Sequence, residues 1–327
     1  MNQSPRITGW GKYLPHKVLT NQDLEKLIDT SDEWITSRTG IKERRIASDE
    51  ETASSLGVQA ARKALEVAGL PASQLDLIIV ATSTAERIFP ACASVIQDQL
   101  GAKRAGAFDV NAACSGFIYS LATAYHFVLG GLYRNIIVVG SEVYSRIIDW
   151  HDRSTCVLFG DGAGAVLVQG MEGERPLVGF SLGSDGSKGE VLYAPGICGP
   201  IGNGAKSGHF LVMEGKEVFK AAANIMVASS RQALTQVGWT TGDVDLFIPH
   251  QANKRIIDMA SKQLGVPQER VYLNLHRYGN TSSASIPIAV CEAVEEERLK
   301  PGDKLVMVGF GAGFSWGAMA LEWQPYL

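Results

Sequence analysis

Hydrophobic and polar positions follow the same order twice along this chain. Over residues 60–82 (AARKALEVAGLPASQLDLIIVAT), the apolar residues Ala64, Leu65, Val67 and Ala68 recur at helical spacing and stop at Gly69. A glycine just past the last periodic residue predicts the end of a helix. The continuous apolar run that follows predicts a buried strand. Residues 229–251 (SSRQALTQVGWTTGDVDLFIPHQ) repeat this layout without gaps. Arg62 aligns with Arg231, Ala64 with Ala233, Leu65 with Leu234, Gly69 with Gly238, Asp76 with Asp245 and Leu77 with Leu246, at an offset of 231 − 62 = 169. Farther on, IIVVG (136–140) lies opposite LVMVG (305–309), and 305 − 136 is again 169. A constant offset over so long a stretch implies a duplicated supersecondary unit.

Each copy predicts the same elements. A further strand is expected to end at Asp109-Val110 in the first copy and at Leu273-Asn274 in the second, followed in each by a long helix and then IIVVG or LVMVG. Strands that are apolar on both faces and alternate with helices imply a mixed or largely parallel sheet covered by helices. Two such halves, 1–172 and 173–327, related by a pseudo-twofold, give a layered α/β/α/β/α core. The first half closes with FGDGAGAVLVQG (159–170), echoed by SWGAMALEW (315–323) at an offset of 317 − 164 = 153. The first copy therefore carries about 16 extra residues there (169 − 153 = 16). Two other stretches break the repeat, residues 10–50 and the Gly-rich 193–210, which reads as a mobile surface loop. Insertions of this kind are where function concentrates.

The polar residues at the predicted strand ends carry the candidate chemistry. Cys114 falls in the small-residue turn NAACSG (111–116) before a long amphipathic helix. A helix N-terminus carries partial positive charge, so a thiol there is expected to have a lowered pKa and more of the nucleophilic thiolate. Free cysteines are more often small buried hydrophobes, and that ordinary role suits Cys92, Cys156 and Cys291, which lie in apolar runs. Adding 169 to Cys114 and Asn111 gives Ser283 and Asn280, in YGNTSSASIP (278–287). A second polar turn thus enters a second helix, and a pseudo-twofold would bring the two helix starts together. His250 ends the repeated strand at the same sheet edge, where ligands bind in α/β proteins. Taken singly, a histidine or a Gly-Asn turn carries little weight. The convergence of the three carries the inference.

Bulk properties exclude several functions. Hydrophobic residues make up 46% of the chain and charged residues 20%, which suits a globular core. The net charge of −4 argues against whole-molecule attraction to nucleic acid or anionic membranes. Five widely spaced cysteines without a CxxC disfavour a disulfide framework or a zinc site, and no metal is expected. A reducing cytoplasm is the natural compartment. The N-terminal MNQSPRITGWGKYLP shows no charged region followed by an apolar run, so no export signal is expected.

Seven segments, in order and across essentially the whole chain, resemble β-ketoacyl-acyl carrier protein synthase III, of the thiolase-like superfamily. They are TSDEWITSRTGIKERR (30–45), DVNAACSGF (109–117), DRSTCVLFGDGAGA (152–165), MEGKEVFK (213–220), IPHQANKRII (248–257), RYGNTSSASIP (277–287) and GFGAGFSWG (309–317). The resemblance implies a duplicated thiolase-like fold and a catalytic triad of Cys114, His250 and Asn280. It implies a decarboxylating condensation of a primer acyl-CoA with malonyl-acyl carrier protein, which starts fatty acid synthesis. Coenzyme A enters as a substrate thioester, and no cofactor is implied. The backbone N–H groups of Cys114 and Ala312 would form the oxyanion hole, Ala312 standing where the family often has a third glycine. Substrate contacts carry over onto Trp34, Arg38, Arg153, Gly215, Phe219, Asn253 and Phe310. Phe89, in ERIFPACAS (86–94), resembles the residue that a dimer mate inserts into the acyl pocket, which implies a homodimer. Lys220, Lys254 and Arg255 match or neighbour the family's basic patch for the acidic carrier protein, although surface lysines are commonly just solvated. The 193–210 loop departs from the common family sequence and leaves the primer open. A thiolase is disfavoured because GFGAGFSWG has no second cysteine, and hydroxymethylglutaryl-CoA synthase because its base is a glutamate. A non-catalytic partner subunit would lack the active cysteine. A ketosynthase III relative of polyketide or other secondary metabolism, with a different primer, stays open.

Overall fold

The computed structural model describes residues 3–174, 176–196 and 210–325. Strand β1 (Gln3–Tyr13) is followed by an excursion of β2 (Lys17–Thr20), α1 (Asn21–Glu25), α2 (Asp32–Thr39) and β3 (Glu43–Ile46). The first copy then runs α3 (Ala53–Val67), β4 (Leu77–Ala81), α4 (Cys92–Leu100), β5 (Gly106–Val110), α5 (Gly116–Leu129), β6 (Asn135–Val143) and β7 (Asp161–Glu172). The second comprises β8 (Val178–Ser184), the short β9 (Leu192–Tyr193) and β10 (Val212–Met213), α6 (Gly215–Gln236), β11 (Leu246–Pro249), α7 (Lys254–Leu264), α8 (Leu275–Tyr278), α9 (Ser285–Glu295), β12 (Lys304–Gly311) and β13 (Ser315–Glu322).

The two main sheets share one topology. The first has the order β1-β7-β6-β4-β5, and the second, read in the same sense, β8-β13-β12-β11. In both, one equivalent pair is parallel (β4 with β6, β11 with β12) and the pairs from there towards β1 or β8 are antiparallel. Helices α3 and α4 cover the outer face of the first sheet, and α6 covers that of the second with α7 beside it. Helices α5 and α9 touch strands of both sheets and form the middle layer. This is the five-layered α/β/α/β/α arrangement.

Equivalent contacts recur in the two copies. The Asp76 carboxylate accepts the N–H of Asn135 at 2.9 Å, and that of Asp245 accepts the N–H of Lys304 at 2.9 Å. Arg62 donates to the Gln99 carbonyl and Arg231 to that of Gln263, both at 3.0 Å. A Cβ on Gly9 would lie 2.1 Å from the Ala64 carbonyl oxygen, and one on Gly179 would lie 2.0 Å from that of Ala233. Each long helix therefore presses its backbone onto a strand glycine. Helix α3 ends as expected, with Gly69 at φ +62° just past its cap, and Gly238 does the same for α6 at φ +71°.

One expected strand is missing. The second copy has no partner for β5 at Leu273-Asn274, only an isolated bridge between Phe247 and Val271. The Gln251 side chain takes the backbone groups a strand would use, donating to the Tyr272 carbonyl at 3.1 Å and accepting the Asn274 N–H at 3.0 Å. Residues 197–209 of the 193–210 loop lie outside the described residues. Among the described residues, no helix is long and apolar enough to cross a membrane.

Candidate active site

Two tight turns meet at the pseudo-twofold. One 3-10 turn, Ala113–Ser115, precedes α5, and its counterpart, Ser282–Ala284, precedes α9. Ala113 and Ser282 adopt φ +45° and +49°, and 113 + 169 = 282. Positive φ at non-glycine residues is strained by about 1–3 kcal/mol and persists only where the surroundings impose it. Here each turn is seated on a glycine of the opposite half. A Cβ on Gly140 would lie 2.4 Å from the Ser283 carbonyl oxygen, and one on Gly309 would lie 3.1 Å from that of Cys114. Ser283 Oγ also lies 2.8 Å from the Ala81 carbonyl and 2.7 Å from Glu142, so the end of β4 and the end of β6 hold the second turn.

Cys114, His250 and Asn280 all line one cavity of about 1050 Å³. Each is buried, with exposures of 6%, 4% and 7%. His250 directly follows β11, and its N–H donates to the Val308 carbonyl at 2.7 Å, which extends the parallel ladder by one residue. Its Nδ1 lies 2.7 Å from Ser285 Oγ. Asn280 is pinned on both backbone sides, donating to the Leu158 carbonyl at 2.8 Å and accepting from Gly160 at 3.0 Å. Its side-chain Oδ1 accepts the Ser282 N–H at 2.8 Å, which turns the amide so that Nδ2 is left to donate. The strain at Ser282 thus aims a backbone donor at the amide oxygen. Ala312 lines the same cavity, tied to the Cys114 turn through Ser315, whose Oγ lies 2.8 Å from the Ala312 carbonyl and 3.0 Å from that of Ala112.

The electrostatics differ from the expectation for a helix start. Burial pushes the Cys114 thiol up to about 12, against an opposing hydrogen bond from Ser282, and the buried Glu142 adds to the rise. Desolvation of the charged form is the largest cause, and it runs opposite to the shift a helix start alone would give. Burial also pushes His250 down to about 3, so its imidazole is neutral at physiological pH. Glu142 is itself raised by burial, against hydrogen bonds from Ser283, Thr84 and Ser83.

The cavity mouth is cationic and aromatic. Arg38, Lys216, Lys220 and Arg255 line it, and no carboxylate does so among the described residues. Two guanidinium groups stand against the Trp34 ring, Arg38 at 5.0 Å and Arg153 at 5.2 Å from its centroid. Arg255 stands 5.1 Å over Phe219. Asn253 caps α7 by accepting the Arg255 N–H at 2.9 Å, and it donates to the Arg38 carbonyl at 3.1 Å, joining the excursion to the second half. Among the described residues, no cluster of His, Cys, Asp and Glu that would hold a metal is found.

Residues 108–186 match the family model described as 3-oxoacyl-[acyl-carrier-protein (ACP)] synthase III, and 234–323 match the model of its C-terminal part. A β-ketoacyl-[acyl-carrier-protein] synthase III of Natranaerobius thermophilus is 49% identical over 325 residues, spanning 97% of this chain and 99% of that protein. The chain belongs to the β-ketoacyl-[acyl-carrier-protein] synthase III family. It is thus an acyl-condensing transferase of the ketosynthase III type, which fits the initiation of fatty acid synthesis. The crystal structure of 3-oxoacyl-[acyl-carrier-protein] synthase III from Aquifex aeolicus superposes with a TM-score of 0.92 at 48% identity, covering 98% of this chain and 100% of that one. The priming β-ketosynthase of the R1128 polyketide pathway superposes with a TM-score of 0.93 at 38% identity, covering 99% of this chain and 98% of that one. The fold is the duplicated thiolase-like one.

Most residues carried over from the family resemblance meet at this one site. Trp34, Arg38, Gly215, Phe219, Lys220, Asn253, Arg255, Phe310 and Ala312 join the triad in lining the cavity. Arg153 touches it only through Trp34, while its guanidinium donates to the Asp29 carbonyl at 2.9 Å. Lys254 lies outside the lining and pairs with Asp258 at 2.7 Å. Phe89 is 82% exposed and does not line the cavity of its own chain. Sequence reasoning missed Ser282, Ser285, Ser315, Glu142 and Tyr144, whose hydroxyl lies 3.1 Å from Ser282 Oγ. It also missed Arg44, fully buried, which donates to Asn21 and to the Leu19 and Val157 carbonyls beneath the loop that holds Asn280. The available signal was polar residues inside otherwise apolar stretches.

Proposed function

We propose that the protein condenses a primer acyl-CoA with malonyl-acyl carrier protein through an acyl-Cys114 intermediate. The observation that carries this reading is the placement of Cys114, His250 and Asn280 on one buried cavity with a cationic, aromatic mouth. In the first half-reaction the Cys114 sulfur attacks the thioester carbonyl, its proton leaves with the departing CoA thiolate, and an acyl thioester remains on the enzyme. The tetrahedral oxyanion is held by the backbone N–H groups of Cys114 and Ala312. In the second, malonyl-carrier protein loses CO₂, and the developing enolate oxygen accepts hydrogen bonds from His250 Nε2 and Asn280 Nδ2. The enolate carbon then attacks the acyl carbonyl, the C–S bond to Cys114 breaks, and the departing thiolate takes a proton from solvent to regenerate the thiol. A neutral imidazole suits this step, since an imidazolium would protonate the carbanion.

The carboxylate-free basic lining and the Trp34 ring with its two guanidinium neighbours suit the phosphates and adenine of CoA. The same cations, with Lys254 nearby, give an acidic carrier protein a complementary rim. Exposed Ile88 and Phe89, at 65% and 82%, support pairing with a second copy as a homodimer. Free thiols at Cys92, Cys114, Cys156 and Cys291 suit a cytoplasmic setting. A second reading, priming of a polyketide, is favoured by the likeness to the R1128 enzyme and differs in the primer alone.

Incubation with a panel of acyl-CoAs followed by intact-mass and peptide analysis tests this. The expected result is one acyl group per chain on Cys114, absent in Cys114→Ser. Acylation at another residue, or none with any primer, refutes it. The preferred primer separates the two readings.

A further inference from the structure

Whether His250 serves as a donor depends on where its one ring proton sits. A neutral imidazole carries a proton on either Nδ1 or Nε2, and the partner of one nitrogen fixes the state of the other. Nδ1 lies 2.7 Å from the Ser285 hydroxyl, inside a buried contact. No carboxylate is paired with the ring among the described residues, so nothing there stabilises an imidazolium. Ser285 is the first residue of α9, so it faces the ring with the positive end of that helix.

The direction of the hydrogen bond follows from the neighbours of the hydroxyl. The Gln251 N–H approaches Ser285 Oγ at a long 3.4 Å and occupies its acceptor side. Among the described residues, the one acceptor within reach of the Ser285 proton is His250 Nδ1. The opposite arrangement, Nδ1–H donating to Oγ, would bury a hydroxyl proton with no acceptor, which native interiors avoid. Resting on the functional reading above, we infer that Ser285 is a positioning residue: its hydroxyl donates to Nδ1, keeps the proton on Nε2, and so makes His250 a donor to the enolate. A neutral hydroxyl does this without supplying the negative charge that would draw a second proton onto the ring. Neither Ser285 nor its proton takes part in a covalent step. Acylation of Cys114, which needs no donor at Nε2, is independent of it.

The test combines two half-reaction rates with the nitrogen spectrum of histidine-labelled protein, the His250 signals being assigned with His250→Gln. In the wild type the spectrum should show a neutral ring protonated at Nε2. Ser285→Ala should keep the rate of Cys114 acylation within about threefold, slow CO₂ release from malonyl-carrier protein at least about tenfold, and move ring protonation towards Nδ1. Ser285→Thr, which keeps the hydroxyl, should restore CO₂ release. Equal loss of both half-reactions, unchanged CO₂ release in Ser285→Ala, or a wild-type proton on Nδ1 overturns the inference. Should the wild type fail to acylate Cys114, the functional reading falls, while the nitrogen spectrum still decides the tautomer.

Discussion

Replacing His250 by glutamine should remove a pH-dependent part of the folding free energy. Burial holds the folded imidazole at about 3, while an unfolded histidine titrates at about 6.5. As pH falls through 6.5 the unfolded chain takes up a proton that the folded chain refuses. Stability from this residue is therefore complete above pH 6.5 and is lost on acidification towards pH 3. At pH 5 the unfolded ring is about 30-fold more protonated than not, which corresponds to about 2 kcal/mol. This figure hardly depends on how far below 5 the folded value lies, because the folded ring is neutral at pH 5 in either case. Other groups titrate too: burial lowers His276 and raises Glu142 and Asp161. They are present in both proteins and cancel in the difference. The assay is urea unfolding of wild type and His250→Gln at pH 8 and pH 5, at one fixed protein concentration. Wild type should lose about 2 kcal/mol more than the variant between the two pH values. Losses equal within about 0.5 kcal/mol would mean that the folded ring takes up its proton near the ordinary pKa, and the claim of a dry, neutral imidazole would fail.

Other outcomes follow from the same geometry. Gly140→Ala should cost about 3 kcal/mol in thermal or chemical unfolding, because its Cβ would meet the Ser283 carbonyl at 2.4 Å, whereas Gly186→Ala, with nothing within 4 Å, should cost little. Trp34→Ala should raise KM for acyl-CoA about tenfold in steady-state kinetics, with little change in kcat, since the two guanidinium contacts to the ring act on binding. The rate of Cys114 alkylation by iodoacetamide in the empty enzyme should climb steadily from pH 6 to pH 9. A plateau below pH 8 would contradict a thiol that burial pushes up to about 12.

Much of the fold was legible because the repeat is written in backbone-critical residues. Gly69 and Gly238 end helices with φ above zero, and Asp76 and Asp245 hold the starts of β6 and β12. Their alignment at one offset implied two related halves, each a mixed or largely parallel sheet covered by helices. The missing second-half strand was not legible, because the local apolar run there looks like a strand. Only the folded protein places the Gln251 amide where it takes the ladder's hydrogen bonds. At the site, the offset brought Cys114 and Asn280 together correctly, since each belongs to a turn in the repeated grammar. The lowered thiol pKa expected at Cys114 is opposed by burial, which a local reading of the helix start does not contain. Ser285 and Glu142 were not singled out because their partners are distant in the chain: His250 lies 35 residues from Ser285 within the second half, and Ser283 meets Glu142 only across the pseudo-twofold.

On the proposed mechanism, one sulfur and two neutral donors divide two half-reactions within a single cavity. This division is measured by following both half-reactions in Asn280→Ala, by acyl mass on Cys114 and by CO₂ released from malonyl-carrier protein. Acylation should stay stoichiometric while CO₂ release falls by about 10²–10³-fold. Condensation at the wild-type rate by that variant would contradict it.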